Sequence, residues 1–177
     1  MKVLFLLLFF AVACNQQASI DDTQLDRGSE VGTSGGSTGG SSGGVIDGTV
    51  PPTVIQEFLT LVNNHRATIG AQPLQHSTAM DAIARAHSEN MADKSVSYSH
   101  DGIQQRCYQA SQALGGGYTC AENIIGAVET ADQMFSFWMS SPLHKANMEN
   151  QSLTHLGLGW KLSSDTFTYW TLLLIGK

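Results

Sequence analysis

The chain has 177 residues and a formal net charge of -6, enough for one domain with appendages. It carries no basic patch of the kind that recognises nucleic acid. Only 14% of its residues are charged, against roughly 25% in an average protein, which suits an exported protein with a polar, uncharged tail.

The chain opens with MKVLFLLLFFAVACNQQ. Lys2 supplies one positive charge, and residues 3–12 form an apolar run too short to span a bilayer as a mature helix. Ala11 and Ala13 then lead into Cys14. The stretch resembles a bacterial lipoprotein signal, in which the cysteine is acylated and becomes the new N-terminus. Ala11 stands where that pattern prefers Leu, and an ordinary secretory signal cut near Ala13 is the alternative. Asn15, by analogy, favours an outer-membrane or surface destination over retention at the inner membrane. Residues 14–52 hold little apolar surface, and the Gly/Ser run at 32–44 cannot bury enough of it to fold. This segment is expected to be a flexible tether with a reach of about 35 Å.

A folded domain is expected over residues 53–177. Pro51 and Pro52 suit a helix start and Thr53 suits its cap. Ile55, Phe58, Leu59, Val62 and Ile69 share one stripe, and Gly70 supplies a stop. A second helix is expected over 77–94. Thr78 and Asp81 are its capping pair, and Met80, Ile83, Ala84, His87 and Met91 share a face. A weaker third helix covers 101–114 and ends at a glycine run. Thr130 and Gln133 form a capping box that opens a fourth helix bearing Met134, Phe135, Trp138 and Met139. Ser141-Pro142 stops it and starts a short fifth, with Ser141 as cap. Two strands close the chain, LTHLGLGWKL and FTYWTLLLIG, joined by a hairpin loop at 163–166. ENIIGAV adds a third. Helices come first and strands late, so the fold class is α+β and not a βαβ repeat. With Cys14 set aside, Cys107 and Cys120 remain. An even pair in an exported domain suggests a disulfide; free buried thiols are the alternative.

Several stretches together resemble the CAP superfamily, also called the SCP domain, in its short bacterial form. LVNNHRATIGAQPL resembles the first-helix motif through Asn63, Arg66, Gly70 and Leu74. SYSHDG supplies His100, RCYQA supplies Arg106, and AENI supplies Glu122. FWMSSPLHKANM resembles the Trp-x-x-Ser-Pro-x-His-x-x-Asn motif, and HLGLGW and YWTLLL resemble the closing strands. The resemblance covers about residues 53–177. It implies a three-layer α-β-α sandwich with a small, mainly antiparallel sheet, and a surface cleft lined by His100, Glu122 and His144. Ser141 stands where the eukaryotic branch has a second Glu, so the site has one carboxylate fewer.

Three chemistries compete for this cluster. His100, His144 and Glu122 have the donor types of a zinc or other divalent metal site with an open position, although no short helical spacing ties them together. Ser141, His144 and Glu122 have the residue types of a nucleophile, base and orienting acid, but a cap serine spends its oxygen on backbone N–H groups. A cleft beside Tyr98, Trp138 or Tyr169 would suit binding of a lipid, peptide or glycan without turnover, and family analogy favours this. His65 is expected at the surface and His87 in the core. Asn123, Arg66 and Arg106 are expected to be structural, with the two arginines pairing with acids. The sequence therefore reads as a monomeric, lipid-anchored envelope or surface binding module. A metal-assisted or acid–base hydrolase acting on envelope peptides or glycans is the alternative.

Overall fold

The computed structural model describes residues 50–116 and 119–177. The expected signal segment, Cys14 and nearly all of the tether lie outside the described residues. In chain order the elements are α1 (Pro52–Thr68), β1 (Gln75–His76), α2 (Thr78–Ala92), α3 (Ile103–Ala113), β2 (Thr119–Gly126), α4 (Ala131–Ser140), α5 (Pro142–Glu149), β3 (His155–Leu162) and β4 (Thr168–Gly176). The strands form one sheet in the order β1-β3-β4-β2. β4 pairs antiparallel with β2 and with β3, and only the short β1–β3 pairing is parallel. The sheet is mainly antiparallel, as expected; the two-residue β1 is an addition that no sequence period announces.

Side chains alternate across a strand, and that alternation divides the core. Leu156, Leu158, Trp170, Leu172 and Leu174 face Phe58, Val62, Met134, Trp138 and Met148 from α1, α4 and α5. Leu173 and Ile175 face Met80 and Ala84 of α2 and Ala110 of α3. Helices therefore cover both faces, giving the three-layer α-β-α sandwich. Complete burial of a side chain such as Phe58, which meets Trp138 edge-on at 5.4 Å, stabilises by about 1.5–3 kcal/mol. The second helix layer lies unusually close. A Cβ at Gly157 or Gly159 would run into the α2 backbone at Met80, Asp81, Ala84 and Arg85. These two glycines let α2 rest directly on β3.

Several local expectations hold and several do not. The Thr130–Gln133 capping box is present, and Ser163 organises the β3–β4 turn by bonding to Phe167. α1 starts at Pro52 with no side-chain cap, so Thr53 lies inside the helix, and Val50 is already buried. Ile69 falls beyond the helix and is exposed. α2 lacks the expected Thr78–Asp81 cap. Asp81 instead accepts from Leu158 N at 2.8 Å and from His76 Nε2 at 2.7 Å. Its carboxylate is drawn to the neighbouring strand, where a backbone N–H needed a partner.

The first-helix motif acts through backbone, not through acids. Asn63 Nδ2 donates to Leu74 O and its Oδ1 accepts from Leu74 N, pinning the chain as it runs into β1. Arg66 is fully buried and donates to the carbonyls of Gln72, Met148, Asn150 and Leu153. Two of these carbonyls lie at the end of α5, where orphan oxygens and the negative pole of the helix suit a cation. The expected Arg66–acid pairing is thus replaced by a carbonyl cage, and burial lowers the pKa of the guanidinium.

Candidate functional site

Glu122 lies on β2 opposite Leu173, so it faces the α2/α3 layer. Its side chain is 0% exposed. A carboxylate there requires partners, and three elements supply them. Arg106 on α3 donates through Nε to Glu122 Oε2 at 2.5 Å and through Nη2 to Oε1 at 2.7 Å, a two-pronged pairing that suits the planar guanidinium. His100, from the segment between α2 and α3, places Nδ1 2.9 Å from Oε1. A carboxylate oxygen only accepts, so Nδ1 carries the proton. His87 on α2 is buried, with Nε2 3.9 Å from the same oxygen, and donates to Ser99 O at 2.9 Å.

Burial alone would push the Glu122 carboxyl up. The hydrogen bonds from His100 and Arg106, the Arg106 charge and nearby His87 outweigh it and hold the carboxyl below its ordinary 4.5. His87 is held below its ordinary 6.5, first by burial and then by the Arg106 charge, while Glu122 and the Ser99 carbonyl oppose the shift. At neutral pH the site is therefore an ionised carboxylate, a guanidinium and a neutral buried imidazole. Across them His100 is 34% exposed in its side chain. Nδ1 is committed to Glu122, so a ligand at this ring would be met through Nε2.

Local sequence explains the assembly. Gly102 caps α3 in the left-handed region at φ 78°, where glycine avoids strain. A Cβ there would also press on Arg106 Nη1. Cys107, next to Arg106, and Cys120, two residues before Glu122, form a disulfide, so α3 is held to β2 beside the ion pair.

The structure brings His100 and Glu122 together as expected and adds Arg106 as the principal partner. The acid that the sequence leads one to expect beside Arg106 is the site carboxylate itself. His87 is the core histidine expected, yet it also belongs to this network. A polar residue on an apolar stripe was the available signal, and it does not identify the partner. His144, on α5, is half-buried. It is tied to the site through its backbone: Asn123 Nδ2 donates to His144 O at 3.1 Å, and Asn147 Nδ2 donates to Asn123 Oδ1 at 2.8 Å. Asn123 is thus structural, as read. Ser141 sits between α4 and α5, but its hydroxyl makes no capping bond, so the expected loss of its oxygen to a cap is corrected. Trp138 is fully buried on the opposite face of the sheet, with its indole N–H on Ile124 O, and does not line the site. Tyr98 and Tyr169 do pack together, at 6.1 Å. His65 is not simply exposed: it pairs with Glu149 at 2.7 Å.

Among the described residues no group of three or more His, Cys, Asp or Glu side chains is placed to hold a metal ion. Both Glu122 oxygens are already engaged by a guanidinium, whose charge opposes a cation at the same carboxylate. The donors as arranged do not fit a divalent metal with Glu122 as a ligand. No helix among the described residues is long and apolar enough to cross a membrane.

Comparisons with known proteins agree with this architecture. The model of the cysteine-rich secretory protein (CAP) family matches residues 59–174. The uncharacterized protein YkwD of Bacillus subtilis (strain 168) is 30% identical over 123 residues, covering 69% of this chain and 47% of YkwD. The chain thus spans about half the length of that relative. An extracellular protein with an SCP domain from Bacillus anthracis is 25% identical, with a TM-score of 0.56 over 69% of this chain and 40% of the other. An outer surface protein of Borrelia burgdorferi is 14% identical, with a TM-score of 0.61 over 71% of this chain and 94% of the other; at that identity the likeness speaks to the fold alone.

Proposed function

Since the chain belongs to the cysteine-rich secretory protein (CAP) family, we propose that it is an exported binding module of the cell envelope or surface, anchored by lipid at Cys14 and held off the membrane by residues 14–52. Its ligand, a lipid, peptide or glycan of the envelope, is received at His100, with Glu122 behind it and His144 and Ser141 on the neighbouring helix junction. One observation carries the reading. Glu122 is wholly buried and locked by Arg106, and it fixes His100 with its second nitrogen left for a partner. A carboxylate engaged in this way orients; it is not itself offered to a ligand. An extracellular protein with an SCP domain among the similar structures supports the location.

The test is titration of the unlipidated chain, residues 14–177 with Cys14→Ser and without detergent, with soluble peptidoglycan fragments and separately with phosphatidylglycerol vesicles. One of the two probes is expected to bind, with affinity reduced at least tenfold in His100→Ala and an unchanged melting temperature. Equal binding by the variant, or binding of neither probe, overturns the reading.

The His100–Glu122 pairing also favours a second reading, an acid–base hydrolase of envelope peptides or glycans. A carboxylate-backed imidazole can take and return a proton through its other nitrogen. That reading requires product release from the peptidoglycan fragments by the wild type and its loss in Glu122→Gln with binding retained. A binding module shows no turnover to lose.

A further inference from the structure

The segment 93–102 forms no helix or strand, yet it must present His100 in one orientation. Its three consecutive carbonyls at Ser99, His100 and Asp101 are each gripped by a buried side chain. Ser99 O accepts from His87 Nε2 at 2.9 Å, His100 O from Arg106 Nη2 at 3.3 Å, and Asp101 O from Arg106 Nη1 at 2.8 Å. Arg106 comes from α3 and His87 from α2, so the segment is held from two elements. Both gripping side chains converge on the same Glu122 carboxylate. The His87 ring is 2% exposed and sits on the stripe of α2 that otherwise carries Met80, Ala84 and Met91. An apolar side chain would fill that place at lower desolvation cost. A ring N–H does what an apolar group cannot: it satisfies a carbonyl in a segment that has no regular partner.

We propose that His87 is a positioning residue of this site, which acts through the Ser99 carbonyl to hold His100 with Nδ1 on Glu122. The proposal rests on the reading that His100 meets the ligand. His87 touches no ligand itself. Its Nε2–H points at the Ser99 carbonyl, and Glu122 Oε1 lies 3.9 Å from the same nitrogen, too far for a hydrogen bond. Without that grip, the backbone on the α2 side of His100 is released while the α3 side stays held by Arg106. The imidazole then exchanges its fixed contact with Glu122 for rotation and solvent.

The test reads the His100 ring directly. Long-range 1H–15N correlation spectra of the full 15N-labelled chain, recorded without ligand, report which ring nitrogen carries the proton. The wild type is expected to show His100 as a single Nδ1–H form. His87→Ala and His87→Phe, which lack a donor, are expected to lose that single form. His87→Gln, whose amide N–H can reach Ser99 O, is expected to retain it. Met91→Ala on the same helix should lower stability and leave the His100 signature intact. If His87→Ala does not fold, the contrast between His87→Phe and His87→Gln decides. A single Nδ1–H form that survives in His87→Phe, or its loss in Met91→Ala, overturns the proposal. Because no ligand is present, failure here is separate from failure of the binding reading, which turns on the His100→Ala titration.

Discussion

Replacing Arg106 by Met removes the charge that holds Glu122 and keeps most of the bulk. The Arg106 side chain is 10% exposed and that of Glu122 0%, so water cannot take over the pairing. The disulfide beside the pair keeps α3 on β2 in the variant. What remains is a buried carboxylate with one hydrogen bond, from His100. Breaking a buried pair from one side costs about 3–5 kcal/mol, and the retained His100 bond places the expected loss near the lower end. A loss of about 3 kcal/mol lowers the melting temperature by roughly 10 °C in a domain of this size. The pH dependence carries the sign. In the wild type the Glu122 pKa lies below 4.5, so its stabilisation is present above 4.5 and is lost as pH falls through the folded value. In Arg106→Met burial dominates and the folded pKa rises. The penalty is then full at neutral pH and shrinks as pH falls towards 4.5. Urea unfolding of the full chain at pH 7.5 and pH 5, followed by tryptophan fluorescence, measures both. A loss under about 1 kcal/mol at pH 7.5, where about 3 is expected, or the same loss at both pH values, refutes the reasoning.

Three further outcomes are expected. Because His87 is held below its ordinary 6.5, the unfolded chain binds that proton first. Stability is then fully present above pH 6.5 and declines as pH falls towards the folded value; urea midpoints between pH 7.5 and 5.5 should slope less in His87→Gln, and an equal slope tells against the assignment. Reduction of Cys107–Cys120, which are 13 residues apart, should lower the unfolding free energy by about 3 kcal/mol, read from denaturation with and without a thiol reductant; an unchanged midpoint in the verified dithiol contradicts it. Arg66→Met strands four carbonyls, and at about 1–3 kcal/mol for each buried orphan the cost should reach about 3 kcal/mol or more, with a loss under 1 kcal/mol inconsistent with the cage.

What the sequence made legible was mostly periodic or local. The stripe of α1 from Ile55 to Val62, the stripe of α2, the Thr130–Gln133 box and the hairpin at Ser163 each sit within a dozen residues and follow from backbone geometry. The three layers came from the family resemblance, since no period says which helix covers which face. The failures share a cause. Asp81 left its helix cap for Leu158 N, 77 residues away, and Arg66 left the acids for carbonyls at Met148, Asn150 and Leu153. Such choices depend on which backbone groups are orphaned after packing, and a local pattern does not record that. The site divides in the same way. His100 and Glu122 were identifiable as a pair by their motifs. Arg106 as the dominant partner and His87 as a buried neighbour emerge only when α2, α3 and β2 close on one point.

β4 lies between β3 and β2 in the sheet, and it follows both of them in the chain, so it leaves the ribosome after them. Eight of its residues pair with β2 and eight with β3, so neither of those strands has its main neighbour until synthesis of β4 is complete. Contacts of such long sequence separation form slowly. The nascent domain therefore has no finished sheet to fold around while it is being made, a state compatible with threading through a translocation channel. A chain stopped before residue 168 would present two unpaired edges in place of a fold.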